Sequence, residues 1–398
     1  MRYRFVSAAA LVNWSSRVSP RTLGSKKSII NPTKFAFECE GLAGTTHFST
    51  NEKHNVDIHE GTSTAITPRV YLALSDKEDF SGIEQEISSR YEIPILSPSQ
   101  LLEDDATITY THCIHVLPYD YSSLQTYAIG IEPLANVPSK ERRNRKRKNS
   151  KTGQMQPIFI DFCPPLGSKM ARRVGDKKQG GELLLKAVAP GKYGNDDSGG
   201  AIVIDLTAGF GGDSQILASG MTAQVHMVER DPTVALLLSD AMRRLHLIGE
   251  TFEDDIRCKT LARKLSLSQD NAINYCQTRR RSDLENISES PDDENLRPHV
   301  CYLDPMFPPR RKSAAVKKNM QVLHGLLKTN EKSCDDQQRL QEERDLLNEA
   351  LKLSKSRVVV KRPINAPPLG SSDDEGEDVR LPSFNLKGSM NRFDVYMV

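Results

Sequence analysis

Apolar residues in the second half of the chain fall into short continuous runs, separated by longer stretches in which they recur every three or four positions. The runs "AIVIDLTA" (201–208), "QVHMVE" (224–229), "LSLS" (265–268), "HVCYLDP" (299–305) and "SRVVVKRP" (356–363) have the length and β-branched content of buried strands. Between them, "TVALLLSDAMRRLHL" follows Asp231 and Pro232, a helix cap and a first-turn proline. "DDQQRLQEERDLLNEALKLSK" carries leucines at helical intervals before the fifth run. Parallel neighbours need a crossover helix, so this alternation predicts a mostly parallel, doubly wound α/β sheet. The chain closes with "SFNLKG" and "NRFDVYMV", separated by Ser389 and Met390, which predict an antiparallel edge on that sheet.

Residues 68–163 carry a second pattern. "RVYLAL" (69–74), "CIHVLPY" (113–119), "YAIGI" (127–131) and "IFIDF" (158–162) are short β-rich runs, and "FSGIEQEISSRY" (80–91) has helical spacing. A smaller N-terminal α/β domain is expected there, before a main domain over 164–398. Within it, "KERRNRKRKNSK" (140–151) forms the centre of a basic insert at 138–153. Such a block attracts phosphate backbones without reading sequence, or serves as a solvated loop. Polar inserts at 278–297 and 371–378, the second an acidic "SSDDEGED", are expected to be exposed loops.

Composition narrows the classes. With 398 residues the chain exceeds one ordinary domain, and 37% hydrophobic with 27% charged residues reads as soluble and globular. The seven cysteines form no CxxC pair and are odd in number, which argues against a disulfide framework or a zinc knuckle and for a reducing compartment. "HCIH" (112–115) alternates as a strand does, and no resident metal is expected. The first 37 residues hold seven Lys and Arg and no acid, as organellar transit peptides do, so import is expected, mitochondrial before plastid. Residues 38–67 read as a linker. No apolar run is long enough for a membrane span.

The chemistry gathers at three strand ends. "DLTAGFGGD", Asp205 to Asp213, sits where the first strand of the main domain gives way to a helix. Gly209, Gly211 and Gly212 allow a sharp turn and close approach of a ligand to the main chain, and helix-start amides face polar groups. Glu229 follows Gly209 by twenty residues, where a carboxylate can accept both hydroxyl protons of a ribose. These two elements imply an adenosine-containing cofactor and leave a nicotinamide dinucleotide and S-adenosylmethionine both open. The third glycine of GxGxxG would fall at Ser214, which makes the dinucleotide fingerprint incomplete.

"CYLDPMFPPRRKS" (301–313) ends the fourth strand at Leu303 and leaves Asp304 at the sheet's carboxyl edge. The exocyclic amine of a nucleobase is a poor nucleophile, because its lone pair is delocalised into the ring. Asp304 can accept one amine hydrogen and the Pro305 carbonyl a second. Phe307 can stack on a base, a contact worth about 1–3 kcal/mol that offsets the cost of extruding it. Arg310, Arg311 and Lys312 can then meet phosphates, as can Lys361 and Arg362 at the end of the fifth strand. The tetrad resembles the D/N-P-P-Y/F motif of methyltransferases acting on base amino groups, with Met306 in place of the second proline.

Read in order, "FIDF", "RRVGDKKQGGELLLKAV", "DLTAGFGGD", "MVERDPTVALLL", "YLDPMFPPRRKSAAVKK", "RVVVKRPINAPPL" and "NRFDVY" resemble the successive blocks of the bacterial ribosomal RNA small subunit methyltransferase J family. The likeness runs from about residue 157 to the end, more faintly over 68–135. It implies a Rossmann-like class I methyltransferase fold using S-adenosylmethionine. It also implies methylation of the exocyclic N2 of a guanine near the 3′ end of small-subunit ribosomal RNA. Carried over by position, the resemblance puts cofactor contacts on Gly212, Asp213, Glu229, Arg230 and Asp304, and on Asp270 with Asn271 after the third strand; Asp205, Gly209 and Gly211 are expected to bind the cofactor as parts of the same strand end and turn. Asp304, Pro305 and Phe307 would face the target base. A monomer acting on the RNA or on the small ribosomal subunit is expected. A nicotinamide-dependent oxidoreductase and a noncatalytic RNA-binding assembly factor are the alternatives on the same fold.

Overall fold

The computed structural model describes residues 69–73, 80–91, 93–96, 110–133, 157–163, 168, 170, 173, 182–188, 201–220, 224–286, 297–305, 322, 325–326, 336–369, 371 and 380–398. The expected leader at 1–37 and linker at 38–67, the cationic block at 140–151, Phe307, Arg310, Arg311 and Lys312 lie outside the described residues, as does nearly all of the acidic run.

In the N-terminal part, β1 (Arg69–Ala73) is followed by α1 (Ser81–Tyr91), β2 (Ile95–Leu96), β3 (Tyr110–Tyr121) and β4 (Leu124–Pro133). They form one sheet in the order β2-β1-β3-β4, with β1 parallel to both its neighbours. A two-residue turn joins β3 and β4 into a hairpin, and Ser122 takes it at φ 54°. "IFIDF" does not form the fourth long strand that its composition suggests; it makes one antiparallel bridge, Ile131 to Ile158. Its apolar side chains do other work, since Ile160 and Phe162 are buried in the core shared with the main domain.

The main domain continues with α2 (Leu183–Val188), β5 (Ile202–Asp205), α3 (Gly212–Gly220), β6 (Gln224–Glu229) and α4 (Pro232–Thr251). It proceeds through α5 (Ile256–Lys264), β7 (Leu265–Gln269), α6 (Ala272–Asn286), β8 (Val300–Leu303), α7 (Asp336–Leu353), β9 (Arg357–Pro363), β10 (Phe384–Lys387) and β11 (Asn391–Met397). Seven strands assemble in the order β10-β11-β9-β8-β5-β6-β7; β5 to β9 are parallel, and β11 runs antiparallel to both β9 and β10. The expected doubly wound sheet with an antiparallel edge is present.

Strand periodicity explains how that sheet is covered. Val203, Val300, Tyr302 and Val359 face one core with residues of α2 to α5. Their neighbours Ile204, Cys301, Leu303, Val358 and Val360 face a second core with residues of α6 and α7. Alternate side chains of a strand point to opposite faces, so a wholly apolar run is what a sheet buried on both sides requires. Asp231 caps α4 by accepting the Val234 N–H at 2.9 Å, and Pro232 occupies the first turn, as the sequence predicts. Contrary to expectation, residues 278–286 are not a loop: α6 runs through them, and Arg280 pairs with Glu349 of α7 at 2.6 Å.

The two sheets share one hydrophobic cluster, with α4 between them. Asp240 on α4 accepts the Ile129 N–H of β4 at 2.9 Å and pairs with Arg244 at 2.9 Å. Arg244 donates to the Ile160 carbonyl, and Arg243 lies 3.6 Å from the Tyr127 ring centroid.

Candidate active site

The sheet reverses its winding at β5, between β6 and β8, and ligands of such sheets bind beyond the carboxyl ends of the strands at that point. The loop leaving β5 is tied to both neighbours: Leu206 N–H donates to the Tyr302 carbonyl at 3.0 Å and Ala208 N–H to the Val228 carbonyl at 3.1 Å. Gly209 and Gly211 then turn the chain at φ 52° and 69°. Gly211 has a second constraint. A Cβ there would lie 2.8 Å from Phe162 and 2.9 Å from Leu238, so the turn is packed tightly as well as left-handed. Gly212 opens α3, where a Cβ would meet Met170 at 3.5 Å, an ordinary contact.

Each carboxylate at these strand ends has its own environment. Asp205 is buried, accepting the Ser214 hydroxyl at 2.5 Å and the Thr207 N–H at 3.2 Å. Burial pushes its pKa up to about 7 against those two bonds. Ser214, where a dinucleotide fingerprint would have glycine, thus serves as a hydroxyl donor. Glu229 is buried at the tip of β6, its two oxygens accepting the Gly209 N–H at 2.8 Å and the Asp231 N–H at 2.9 Å. Burial raises its pKa, opposed by those two amides. Each oxygen has a second acceptor position, which suits it to ribose hydroxyls.

Asp304 ends β8 over the same crevice. Its side chain retains 34% of its surface, and its N–H donates to the Thr207 hydroxyl at 2.6 Å, which ties the glycine loop to the tip of β8. Lys361 of β9 reaches across to donate to Asp304 Oδ2 at 2.7 Å and to Asp213 Oδ2 at 2.6 Å. Tyr302 adds its hydroxyl to Asp213 Oδ2 at 2.7 Å. Burial works to raise Asp213, but Lys361 and Tyr302 outweigh it and hold that carboxylate below its ordinary value. For Asp304 burial prevails over Lys361 and, with Asp213 adding to it, leaves the carboxyl above the ordinary value. Burial works to lower Lys361, and the two carboxylates outweigh it and push the ammonium pKa up.

Other expected residues fall as follows. Asp270 and Asn271 do follow β7, where Asp270 accepts the Asn271 N–H at 2.7 Å and Asn271 accepts the Ile273 N–H at 2.9 Å at the start of α6. Arg230 is exposed beside Glu229, and Pro305 is half-buried. The two cations at the end of β9 are corrected. Lys361 is held by carboxylates rather than presented to phosphate, and Arg362 is buried, donating to the Pro367 carbonyl at 2.8 Å. Sequence reasoning missed Thr207, Ser214 and Tyr302. For Tyr302 a signal existed: a polar-tipped ring inside an otherwise apolar buried strand must find a partner.

This arrangement can hold an adenosine cofactor with a positively charged centre. Asp213 and Asp304 share the one ammonium of Lys361, with Asp205 close behind them, so the crevice favours a sulfonium over the pyrophosphate of a dinucleotide. Among the described residues no group of three or more His, Cys, Asp or Glu side chains could hold a metal ion. Strand order, glycine turn and the paired carboxylates at the tips of β6 and β8 define a class I S-adenosylmethionine-dependent methyltransferase.

Comparison with known proteins agrees. A family model described as "Putative SAM-dependent methyltransferase" matches residues 137–398. Proteins named ribosomal RNA small subunit methyltransferase J are similar in sequence. That of Pseudoalteromonas atlantica is 38% identical over 241 residues, 61% of this chain and 77% of the relative. Those of Thioalkalivibrio sulfidiphilus and Neisseria meningitidis serogroup B are 37% and 35% identical, over 61% and 62% of this chain and 76% and 78% of their own lengths. The chain belongs to the ribosomal RNA small subunit methyltransferase J family, and the oxidoreductase alternative is set aside.

Proposed function

We propose that this protein methylates the exocyclic N2 of a guanine in small-subunit ribosomal RNA. The single observation that carries this reading is Asp304: a carboxylate at the tip of β8, partly open to solvent, tied through Thr207 to the glycine loop. The name shared by its relatives supports ribosomal RNA as the substrate. The basic, acid-free leader supports an organellar small subunit, mitochondrial first, as the source of that RNA.

When bound, S-adenosylmethionine supplies an already activated methyl group, so the protein's task is position and environment. Glu229 and the amides around Gly211 and Gly212 would hold its adenosine portion. Asp304 accepts a hydrogen of the target amine and so orients the nitrogen lone pair, while the Pro305 carbonyl accepts the other. After transfer the methylated nitrogen carries a surplus proton, which passes to Asp304 and from there to water. Thr207 keeps the acceptor in register with the cofactor loop.

The test is transfer of labelled methyl to undermodified small-subunit RNA, with mapping of methylated guanines in organellar and cytosolic RNA from cells with and without the protein. Wild-type protein is expected to label guanine N2, and Asp304→Asn to lower kcat by about 100-fold or more while RNA binding persists, in keeping with the usual size of acid–base contributions. Folded, cofactor-loaded wild-type protein that leaves the RNA unlabelled would overturn the reading in favour of an assembly factor.

A further inference from the structure

Three carboxylates converge beneath the crevice, from three different elements: Asp205 from β5, Asp213 from the first turn of α3 and Asp304 from the end of β8. Like charges so placed cannot all ionise unless a cation stands among them. Among the described residues the cation bonded to these carboxylates is Lys361, two of whose three N–H bonds are spent on Asp213 and Asp304. Its side chain keeps 22% of its surface, and its ammonium is committed to these partners rather than to an external phosphate.

We propose that Lys361 is a positioning residue for the methyl-transfer reaction: anchored on Asp213, its ammonium holds Asp304 in place as an anionic acceptor for the incoming base amine. The inference rests on the reading of Asp304 as that acceptor. A protonated Asp304 would present an O–H donor to the amine hydrogens and lose the bond that orients the nitrogen. Other groups bear on the balance. Tyr302 donates to Asp213 at 2.7 Å, and Arg173 adds a cationic influence on Asp213 while pairing with Glu182 at 2.6 Å. Asp205 lies behind, bonded to Ser214. None of these touches Asp304 Oδ2; Lys361 does.

Anchoring is what distinguishes this lysine from a passing counter-ion. Asp213 sits on the helix that the glycine loop launches, so the ion pair spans the cofactor side and the target side of the crevice. Lysine is suited to the task, because a compact ammonium can serve two carboxylates from one atom.

The test uses the full-length protein without cofactor or RNA. Carbon-13 labelling of aspartate carboxyls, with Asp304→Asn to assign the resonance, reports the titration of Asp304 directly. Lys361→Met is expected to raise its midpoint by about one pH unit or more, a tenfold or greater gain in proton affinity, as loss of an adjacent opposite charge does. Lys361→Arg should stay near wild type, and Asp213→Asn should move the midpoint the other way by removing a like charge. An Asp304 titration unchanged in Lys361→Met, with the remaining resonances intact, overturns the proposal whatever the methylation assay shows.

In that assay the acid limb of kcat/KM is expected to move up by the same amount in Lys361→Met. An equal loss at every pH would mark Lys361 as merely structural and overturn the proposal. The carboxyl titration shifting as expected in Lys361→Met, while the wild-type protein methylates no RNA, would sink the functional reading and leave the Lys361–Asp304 pair established.

Discussion

The carboxyl of Asp205 lies under the glycine turn, closed off from water, with a hydroxyl and an amide as its hydrogen-bond donors. Its folded pKa of about 7 stands above the ordinary 3.8 because burial penalises the charged form more than those donors repay. The folded state therefore binds this proton more tightly than the unfolded chain does. The stability it contributes is fully present below about pH 4 and is lost as pH rises through about 7. Asp205→Asn removes that titration. Measured by urea unfolding across this range, wild type should lose stability relative to the variant as pH rises, by an amount on the order of a few kcal/mol. A difference that stays constant with pH would show that Asp205 holds no proton. At this scale the sequence displayed which carboxylates matter, since each stands at a strand end, but not which would be protonated. Proton affinity depends on dielectric and neighbours that only the folded chain assembles.

The element that most constrains the site is the turn from β5 into α3. Gly211 needs a left-handed backbone and meets Phe162 and Leu238 within 3 Å of where a Cβ would sit. Gly211→Ala combines backbone strain with overpacking, and a loss of about 2–5 kcal/mol in denaturant unfolding is expected. Calorimetry should show weakened binding of S-adenosylmethionine. The left-handed requirement could be read from "GFGG"; the steric one could not, because Phe162 comes from a segment 49 residues away in sequence. Strands β6 and β9 matched their apolar runs almost to the residue, as expected for strands buried on both faces. The latter part of α6 went unread because it is polar; the helix's fully buried hydrophobic residue among those described, Cys276, lies ahead of it. Its helicity is supported by the partner helix α7, which local periodicity does not report.

Across the whole molecule, the seam between the two sheets is held by charges inside an apolar cluster. Asp240 and Arg244 are both fully enclosed, and each also bonds main chain of the N-terminal part. Removing one partner of such a pair strands the other, so Arg244→Met is expected to cost about 3–5 kcal/mol in urea unfolding. The exposed Arg230→Met should stay within about 0.5 kcal/mol of wild type. A neutral Arg244→Met would mean that the N-terminal sheet is held by apolar packing alone. No pattern in the sequence singled out Asp240 or Arg244, which read as ordinary polar positions on an amphipathic helix. Their importance arises because α4 is covered on a second side.

The chain alone determined the kind of sheet, the order of its elements and the strand ends at which glycines and carboxylates collect, because period, turn chemistry and capping are local properties. The partners of those groups belong to the tertiary structure. Lys361 lies 57 residues beyond Asp304 and 148 beyond Asp213, and an ammonium so distant in sequence becomes a shared counter-ion only when parallel strands bring β8 and β9 side by side next to the start of α3. Local sequence specifies which groups a strand delivers to its end, whereas the neighbours that set their charge are chosen by sheet order.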